Sequence, residues 1–201
     1  MFTGIVEGIA RVTEVLPRSG AARRLVLDLG PLAAEVRVGD SVAIDGTCLT
    51  AVELAGARVA FDVIQETLDK TTLGELAPGG VANVERPLRA DARLHGHVVS
   101  GHVDGTGTIR LKRAEPAQVR LEVALDPTLS RYLIPKGSVT IDGISLTVVD
   151  AEREWFSVAL IPHTLAVTTL GGKGEGRRVN LEMDAIGKWV ERLLDPWRRP
   201  R

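Results

Sequence analysis

The chain has 201 residues, 44% hydrophobic and 25% charged, with a net charge of −1, a composition typical of soluble globular proteins. Near-zero charge and 3% aromatic content argue against a nucleic-acid surface, which takes clustered Lys and Arg interleaved with stacking rings. No apolar run approaches the ~18 residues of a membrane span. The opening MFTGIVEG lacks the pattern of a signal peptide, and the single cysteine, Cys48, precludes an internal disulfide and fits a reducing cytoplasm.

Taken in chain order, the first feature is a glycine-spaced start, Gly4, Val6 and Gly8, which returns later as Gly101, Val103 and Gly105. Short runs rich in β-branched and apolar residues then predict strands at 26–29, 41–44, 49–54, 59–64 and 81–85. Between the second and third lies Asp45-Gly46, a pair suited to a tight turn with positive φ. The block SVAIDGTCLTAV at 41–52 reappears as SVTIDGISLTVV at 138–149, and IQETLDKTTLG at 64–74 as IPHTLAVTTLG at 161–171. Asn83 and Glu85 return as Asn180 and Glu182, and every pair shares one offset of 97 residues. The chain is therefore an internal duplication. Five or six short strands in each half suggest a small sandwich or a closed barrel, and the barrel is favoured because closure removes exposed edges.

The segment 85–97, ERPLRADARLHGH, carries proline and many charges and reads as a linker. Outside the repeat, Ile186, Trp189, Val190, Leu193 and Leu194 make one apolar stripe of a helix, with Asp184 as its cap and Pro196 as its stop. That stripe packs either on its own barrel or on another copy of the chain. Arg198, Arg199 and Arg201 form a short basic end that reads as a solvated tail.

The repeated DG-x-[CS]-LT turn is the main candidate for chemistry. Strand alternation places Cys48 with Thr50, and Ser145 with Thr147, on one face of each half. The turn by itself makes a hairpin; cysteine in one half and serine in the other adds weight to a functional reading. Thr67, Thr71, Thr72, Thr164, Thr168 and Thr169 either cap a short turn or offer hydroxyls to a polyol. His102 stands where the first half has Ile5, and His163 answers Glu66. No metal-spaced His or Cys cluster, phosphate-cradling glycine loop or Ser-His-Asp set is visible, so neither metal nor cofactor is expected.

The ordered set MFTGIVEG, DGTCLT, ETL–TTLG, GHVVSGHVDGTG, DGISLTV and LIPHTL–TTLG resembles riboflavin synthase of the α-chain type, from residue 1 to about 194. That resemblance implies an all-β fold of two tandem six-stranded Greek-key barrels and a short C-terminal helix. Residues 1–90 would form the first lumazine-binding barrel, 91–97 the linker, 98–183 the second barrel, and 184–201 an oligomerisation helix and tail. It implies a homotrimer in which the first barrel of one subunit faces the second barrel of a neighbour, each barrel binding 6,7-dimethyl-8-ribityllumazine. A four-carbon unit passes from one lumazine to the other without a cofactor, giving riboflavin and 5-amino-6-ribitylaminouracil. The first pocket would use Gly4, Ile5, Val6, Cys48, Leu49, Thr50, Asp62, Val63, Ile64, Gln65, Glu66 and Thr67, with Phe2 and Ser41. The second would use Gly101, His102, Val103, Lys136, Ser145, Leu146, Thr147, Ile161, Pro162, His163, Thr164, Leu165 and Ala166. Backbone groups would read the pteridine edge while hydroxyls hold the ribityl chain. Candidate catalytic groups are Cys48, His102, Ser145, Asp142 and Asp184, although Asp45 and Asp142 equally fit a purely turn-stabilising role. His95 departs from the family pattern, which often has glycine there. The resemblance leaves a lumazine-synthase shell open as a further partner. Rival readings are a non-catalytic lumazine- or flavin-binding member of the same family, a tandem OB-like nucleic-acid binder and a purely structural β-repeat. Both turns and both TTLG segments are intact, which favours the enzyme.

Overall fold

The computed structural model describes residues 1–198, so Arg199 and Arg201 of the basic end lie outside the described residues. The first half contains β1 (Gly8–Pro17), β2 (Arg23–Asp28), β3 (Ser41–Ile44), β4 (Thr47–Ala55), β5 (Arg58–Val63), α1 (Gln65–Lys70) and β6 (Val81–Glu85). The second contains β7 (Gly105–Glu115), β8 (Gln118–Ala124), α2 (Pro127–Ser130), β9 (Ser138–Ile141), β10 (Ile144–Ala151), β11 (Trp155–Leu160), α3 (Pro162–Val167) and β12 (Arg178–Met183), followed by α4 (Ala185–Arg198).

Each half closes into a six-stranded barrel, in the order β1-β2-β5-β4-β3-β6 and β10-β11-β8-β7-β12-β9. The first strand of each half pairs with both the second and the last, leaving no free edge. Alternation fills the interiors: Leu25, Leu27, Val42, Ile44, Val59 and Phe61 line one, and Leu121, Val123, Val139, Ile141, Phe156 and Val158 the other. Closure needs local coiling, which bulges supply. They fall at repeat-equivalent places, between Val12 and Glu14 and between Ile109 and Leu111, then between Ala51 and Glu53 and between Val148 and Asp150.

The two barrels meet at their hairpin turns. Asp45 and Asp142 have φ of 42° and 49°, followed by Gly46 and Gly143 at 77° each, the geometry expected of a two-residue turn with both central residues left-handed. The turns stand back to back. A Cβ on Gly46 would lie 2.5 Å from the Gly143 amide nitrogen, and one on Gly143 would lie 2.7 Å from that of Gly46. Across the seam the Asn83 side chain donates to the Asp142 carbonyl (3.0 Å) and accepts from the Thr169 amide (2.8 Å). Asn180 reciprocates with the Asp45 carbonyl and the Thr72 amide, at 2.8 and 2.7 Å.

Several expectations change. Glu85 is not linker: it is buried at the end of β6. A short helix precedes each TTLG segment (α1 or α3), and the segment itself forms a 3-10 turn. Pro196 does not stop α4, which continues to Arg198; proline's fixed φ suits a helix, and only one backbone bond is forfeited there. Asp184 does cap it, accepting from the Ile186 amide at 2.9 Å. The helix rests on its own barrel through its polar side, where Lys188 bonds Asp104 (2.8 Å), Glu191 bonds Arg131 (2.8 Å) and Tyr132, and Gly187 faces Tyr132. Its apolar stripe points outward: Ile186, Trp189 and Leu193 are 70%, 67% and 69% exposed. No helix among the described residues is long and apolar enough to cross a membrane.

Candidate functional site

The glycine-spaced segments at the start of each half are held by a buried glutamate. Glu85 accepts from the Thr3 amide (2.6 Å), the Thr3 hydroxyl (2.8 Å) and the Gly4 amide (3.0 Å). Glu182 accepts in the same way from the Ser100 amide (2.8 Å), the Ser100 hydroxyl (2.5 Å) and the Gly101 amide (3.0 Å). Burial pushes the Glu85 carboxyl above its ordinary range, and the Thr3 and Gly4 donors hold it back.

Those segments are exchanged between the halves. The Ser145 amide donates to the Gly4 carbonyl at 2.7 Å, and the Cys48 amide donates to the Gly101 carbonyl at 2.8 Å. A Cβ on Gly4 would meet the Ser145 Cβ at 2.6 Å, and one on Gly101 would meet the Cys48 Cβ at 2.6 Å; with φ of 77° and 80°, both positions require glycine. The two starts thus cross between the halves. Gly4 lies beside Ser145, with Val6 packed on the second core, and Gly101 lies beside Cys48. The reason is the pairing of the two starts with each other: Phe2 bridges Val99 antiparallel, which carries each start across to the opposite barrel. Phe2, Ala43 and Val99 are buried together, with Cys48 packed against them.

Around Cys48, β3 and β4 pair Ser41 with Thr50 and Ala43 with Cys48. Leu49 turns into the core, Cys48 is half-buried and Thr50 is exposed. The second half pairs Ser138 with Thr147 and Thr140 with Ser145. Ile64 and Ile161, which precede α1 and α3, are 61% and 56% exposed, and Gln65, Glu66, Pro162, His163 and Ala166 beside them also face solvent. Lys136 is exposed at a φ of 68°, where the repeat-equivalent residue is Gly39. A long side chain held in the left-handed region marks a position to examine for function.

Other candidates are placed differently. Asp142 is fully buried at the seam, accepting from the Asn180 amide (2.8 Å) and bound by Lys173 Nζ (2.6 Å). Both carboxylate oxygens are held by residues of its own half, while its backbone carbonyl accepts from Asn83 across the seam. Asp62 is exposed, but Arg24 forks both its oxygens (2.7 and 2.9 Å) and Arg18 adds a bond at 3.2 Å. The Arg24 hydrogen bond holds its pKa down at about 2. Thr71, Thr72, Thr168 and Thr169 are buried; Thr71 and Thr168 hydroxyls donate to the carbonyls of Thr67 and Thr164, at 2.6 Å each. The Thr71 hydroxyl also caps the following 3-10 turn, accepting from the Leu73 amide at 3.2 Å.

The linker hides a residue that pattern reading passed over. His97 Nδ1 lies 2.7 Å from Ser145 Oγ. A lone histidine in a charged loop carries no pattern; only the GHVVSGH motif around it marks the segment. Two grooves flank the sites. One of about 400 Å³ lies beside the first barrel, lined by Ile5, Glu7, Asp40, Arg86 and His95 among others. Another of about 420 Å³ lies beneath α4, lined by Tyr132, Ile134, Ser138, Asp184 and Ile186 among others. Neither is lined by Cys48, Thr50, Ser145 or Thr147. No metal-holding group of three or more His, Cys, Asp or Glu occurs among the described residues.

The profile of the lumazine binding domain matches this chain twice, at residues 3–87 and 100–184. Riboflavin synthase of Mycobacterium tuberculosis is 45% identical across 96% of the chain and 98% of the relative. Those of Actinobacillus pleuropneumoniae and Bacillus subtilis are 42% and 38% identical, each across 96% of the chain and 90% of the relative. Crystal structures of LumP complexed with 6,7-dimethyl-8-(1'-D-ribityl) lumazine and with riboflavin give TM-scores of 0.81 and 0.84, covering 91% of the chain and 99% of LumP. At 23% and 22% identity, that likeness is one of fold. Duplicated barrels, exchanged glycine segments and a repeated lumazine-binding domain converge with these near full-length relatives: the chain belongs to the riboflavin synthase family.

Proposed function

We propose that the chain catalyses the dismutation of two molecules of 6,7-dimethyl-8-ribityllumazine to riboflavin and 5-amino-6-ribitylaminouracil, the last step of riboflavin biosynthesis. The observation that carries this reading is the presence of two complete but unequal sites. Each has an intact hairpin turn, a glycine segment from the opposite half and an exposed isoleucine before a short helix, with Cys48 in one and Ser145 in the other. In a dismutation the same molecule plays donor and acceptor, and two related, unequal sites serve that purpose. Deprotonation of the C7 methyl of one lumazine is eased by delocalisation into its ring, and the four-carbon unit then passes to the other. Holding both substrates in register supplies about 7–11 kcal/mol in favourable cases, so single side chains contribute modestly.

By position, Cys48, Thr50, His102 and Ile64 to Thr67 serve one lumazine, and Ser145, Thr147, Lys136 and Ile161 to Ala166 the other. Asp184 caps α4 beside the second site. The outward apolar stripe of α4 supports a homotrimer that sets the first barrel of one subunit against the second barrel of the next. The reading places the enzyme in the cytoplasm; co-elution with purified lumazine synthase tests that further partner.

Purified protein mixed with 6,7-dimethyl-8-ribityllumazine, without added metal or cofactor, is expected to form one riboflavin per two lumazines, followed by absorbance. Tight binding without riboflavin would identify a carrier instead. Light scattering is expected to return three times the 21.5 kDa chain mass, and Leu193→Glu to reduce it.

A further inference from the structure

We infer that His97 is a positioning residue for the reaction: its imidazole Nδ1 accepts the Ser145 hydroxyl hydrogen, fixing the Ser145 Oγ lone pairs toward the lumazine in the second site. This inference rests on the reaction proposed above.

The two groups are brought together by close backbone approach. His97 donates its amide to the Thr3 carbonyl at 3.1 Å, next to the Gly4 carbonyl that receives the Ser145 amide at 2.7 Å. Its neighbour must be glycine: a Cβ on Gly96 would lie 2.0 Å from the Thr3 carbonyl oxygen and 3.1 Å from Ser145 Oγ. Imidazole and hydroxyl, 2.7 Å apart, are thus fixed from both sides. Cys48 has no equivalent: its side chain packs against Phe2, Ala43 and Val99, and no side-chain hydrogen bond of Cys48 is found among the described residues.

The direction of the bond depends on the charge of the imidazole. Neutral, with its proton on Nε2, it accepts from Ser145 and leaves both Oγ lone pairs for the ligand. Protonated, it must donate to Oγ, occupying a lone pair and turning the hydroxyl proton away. The groups facing it are Ser145 on β10, the Thr3 carbonyl, Glu182 on β12 and Asp184 at the head of α4. Burial lowers the His97 pKa below its ordinary value, and Asp184 and Glu182 oppose that shift without cancelling it. The accepting state is therefore the neutral-pH state, and it is lost on acidification.

The test compares riboflavin formation across pH 5–9 in the unsubstituted protein, His97→Ala, His97→Asn, Ser145→Ala and the double alanine variant. The expected result is a kcat loss on the order of tenfold for His97→Ala with lumazine affinity kept. His97→Asn, whose amide oxygen accepts at the same place, restores part of the rate without the acidic fall in kcat. The double variant is no slower than Ser145→Ala, because the two residues act as one unit. Losses that multiply, or an acidic limb that survives in His97→Asn, would overturn the inference. Nitrogen NMR of the unsubstituted protein provides a check that needs no variant to fold: Nδ1 is expected to be unprotonated at pH 7, and a protonated Nδ1 sinks the idea. If the unsubstituted protein forms no riboflavin, the proposed reaction fails and takes this inference with it; normal turnover in His97→Ala removes the inference alone.

Discussion

The first barrel and the second share their strand order, both bulges, the left-handed Asp-Gly turn, the seam asparagines Asn83 and Asn180 and the glutamate clamps Glu85 and Glu182. Among the positions where they part are Cys48 against Ser145, Gly39 against Lys136, and Leu76 against Lys173. Shared residues satisfy buried polar groups or close a barrel, so a change in either half leaves a donor or acceptor unpaired. Divergent residues lie on open site faces or beside the seam, where one half can change without unmaking the other.

The seam is the place to break both halves at once. Gly46→Ala and Gly143→Ala each force a Cβ into the opposite turn's backbone, which cannot step aside as a flexible side chain would, and each also strains a left-handed residue. Each is expected to cost about 5 kcal/mol, enough to unfold many domains of this size. Urea denaturation should find the two nearly equal; an effect confined to one turn would mean that the barrels do not share the seam.

The charge at that seam separates the halves. Asp45 and Asp142 are both buried, but only Asp142 touches a cation, Lys173. Burial first, and repulsion from Asp142 second, raise the Asp45 pKa to about 7. The charges of Asp142 and Asp45 keep Lys173 protonated despite its own burial. A carboxyl with a native pKa above its unfolded value of 3.8 binds its proton more tightly when folded. Its contribution is complete below pH ~4 and is lost as pH rises through about 7. Asp45→Asn keeps the oxygen that accepts from the Asn83 amide and tolerates the positive φ. It is expected to flatten that pH dependence and to stabilise the protein at pH 8 by roughly 3 kcal/mol. Asp142→Asn strands Lys173 beside a neutral amide and is expected to destabilise by a similar ~3 kcal/mol. Thermal melts at pH 5 and pH 8 measure both; equal signs at pH 8 would remove the asymmetry.

At the site faces, exchanging the divergent pair sharpens the comparison. Ser145→Cys replaces a hydroxyl 2.7 Å from His97 with a weak, longer-reaching S–H donor, and riboflavin formation is expected to fall about tenfold, or ~1.4 kcal/mol of barrier. Cys48→Ser removes no hydrogen bond and is expected to change turnover less than about threefold. Steady-state kinetics decide, and the reverse order would make Cys48 the more demanding group.

Much of this is legible in the sequence. The offset pairing marked Asn83, Glu85, Asn180 and Glu182 as repeated, and the Asp-Gly pairs announced their turns, because a left-handed residue restricts the chemistry that can occupy it. Strand β1 was missed since its bulge interrupts alternation, and the TTLG helices because two turns are too few for a period to show. The exchange of glycine segments had no local signal. It depends on Phe2 pairing with Val99, a contact between the starts of the two halves that spacing within one half does not encode. The burial of Asp142 is invisible in sequence, which leaves a catalytic and a turn-stabilising role equally open there, and His97 carries no signal because its partner, Ser145, lies on another strand.

The smallest stability effect expected is at Lys136, where stability and function should move in opposite directions. Its φ of 68° is 27° short of that of Gly39 at the equivalent turn (95°), and both are left-handed. A Cβ there costs about 1–2 kcal/mol, of which glycine returns part as extra freedom in the unfolded chain. Lys136→Gly is therefore expected to stabilise the fold by about 0.5–1 kcal/mol. If the exposed ammonium meets a ribityl or pteridine oxygen, losing a bond worth about 1 kcal/mol raises KM for the lumazine roughly fivefold and leaves kcat nearly unchanged. A gain in stability with KM unmoved would make the strained turn an accident of the duplication. A gain in stability with weaker binding would make it a strained position retained for the ligand, by the half that also carries Ser145 and His97.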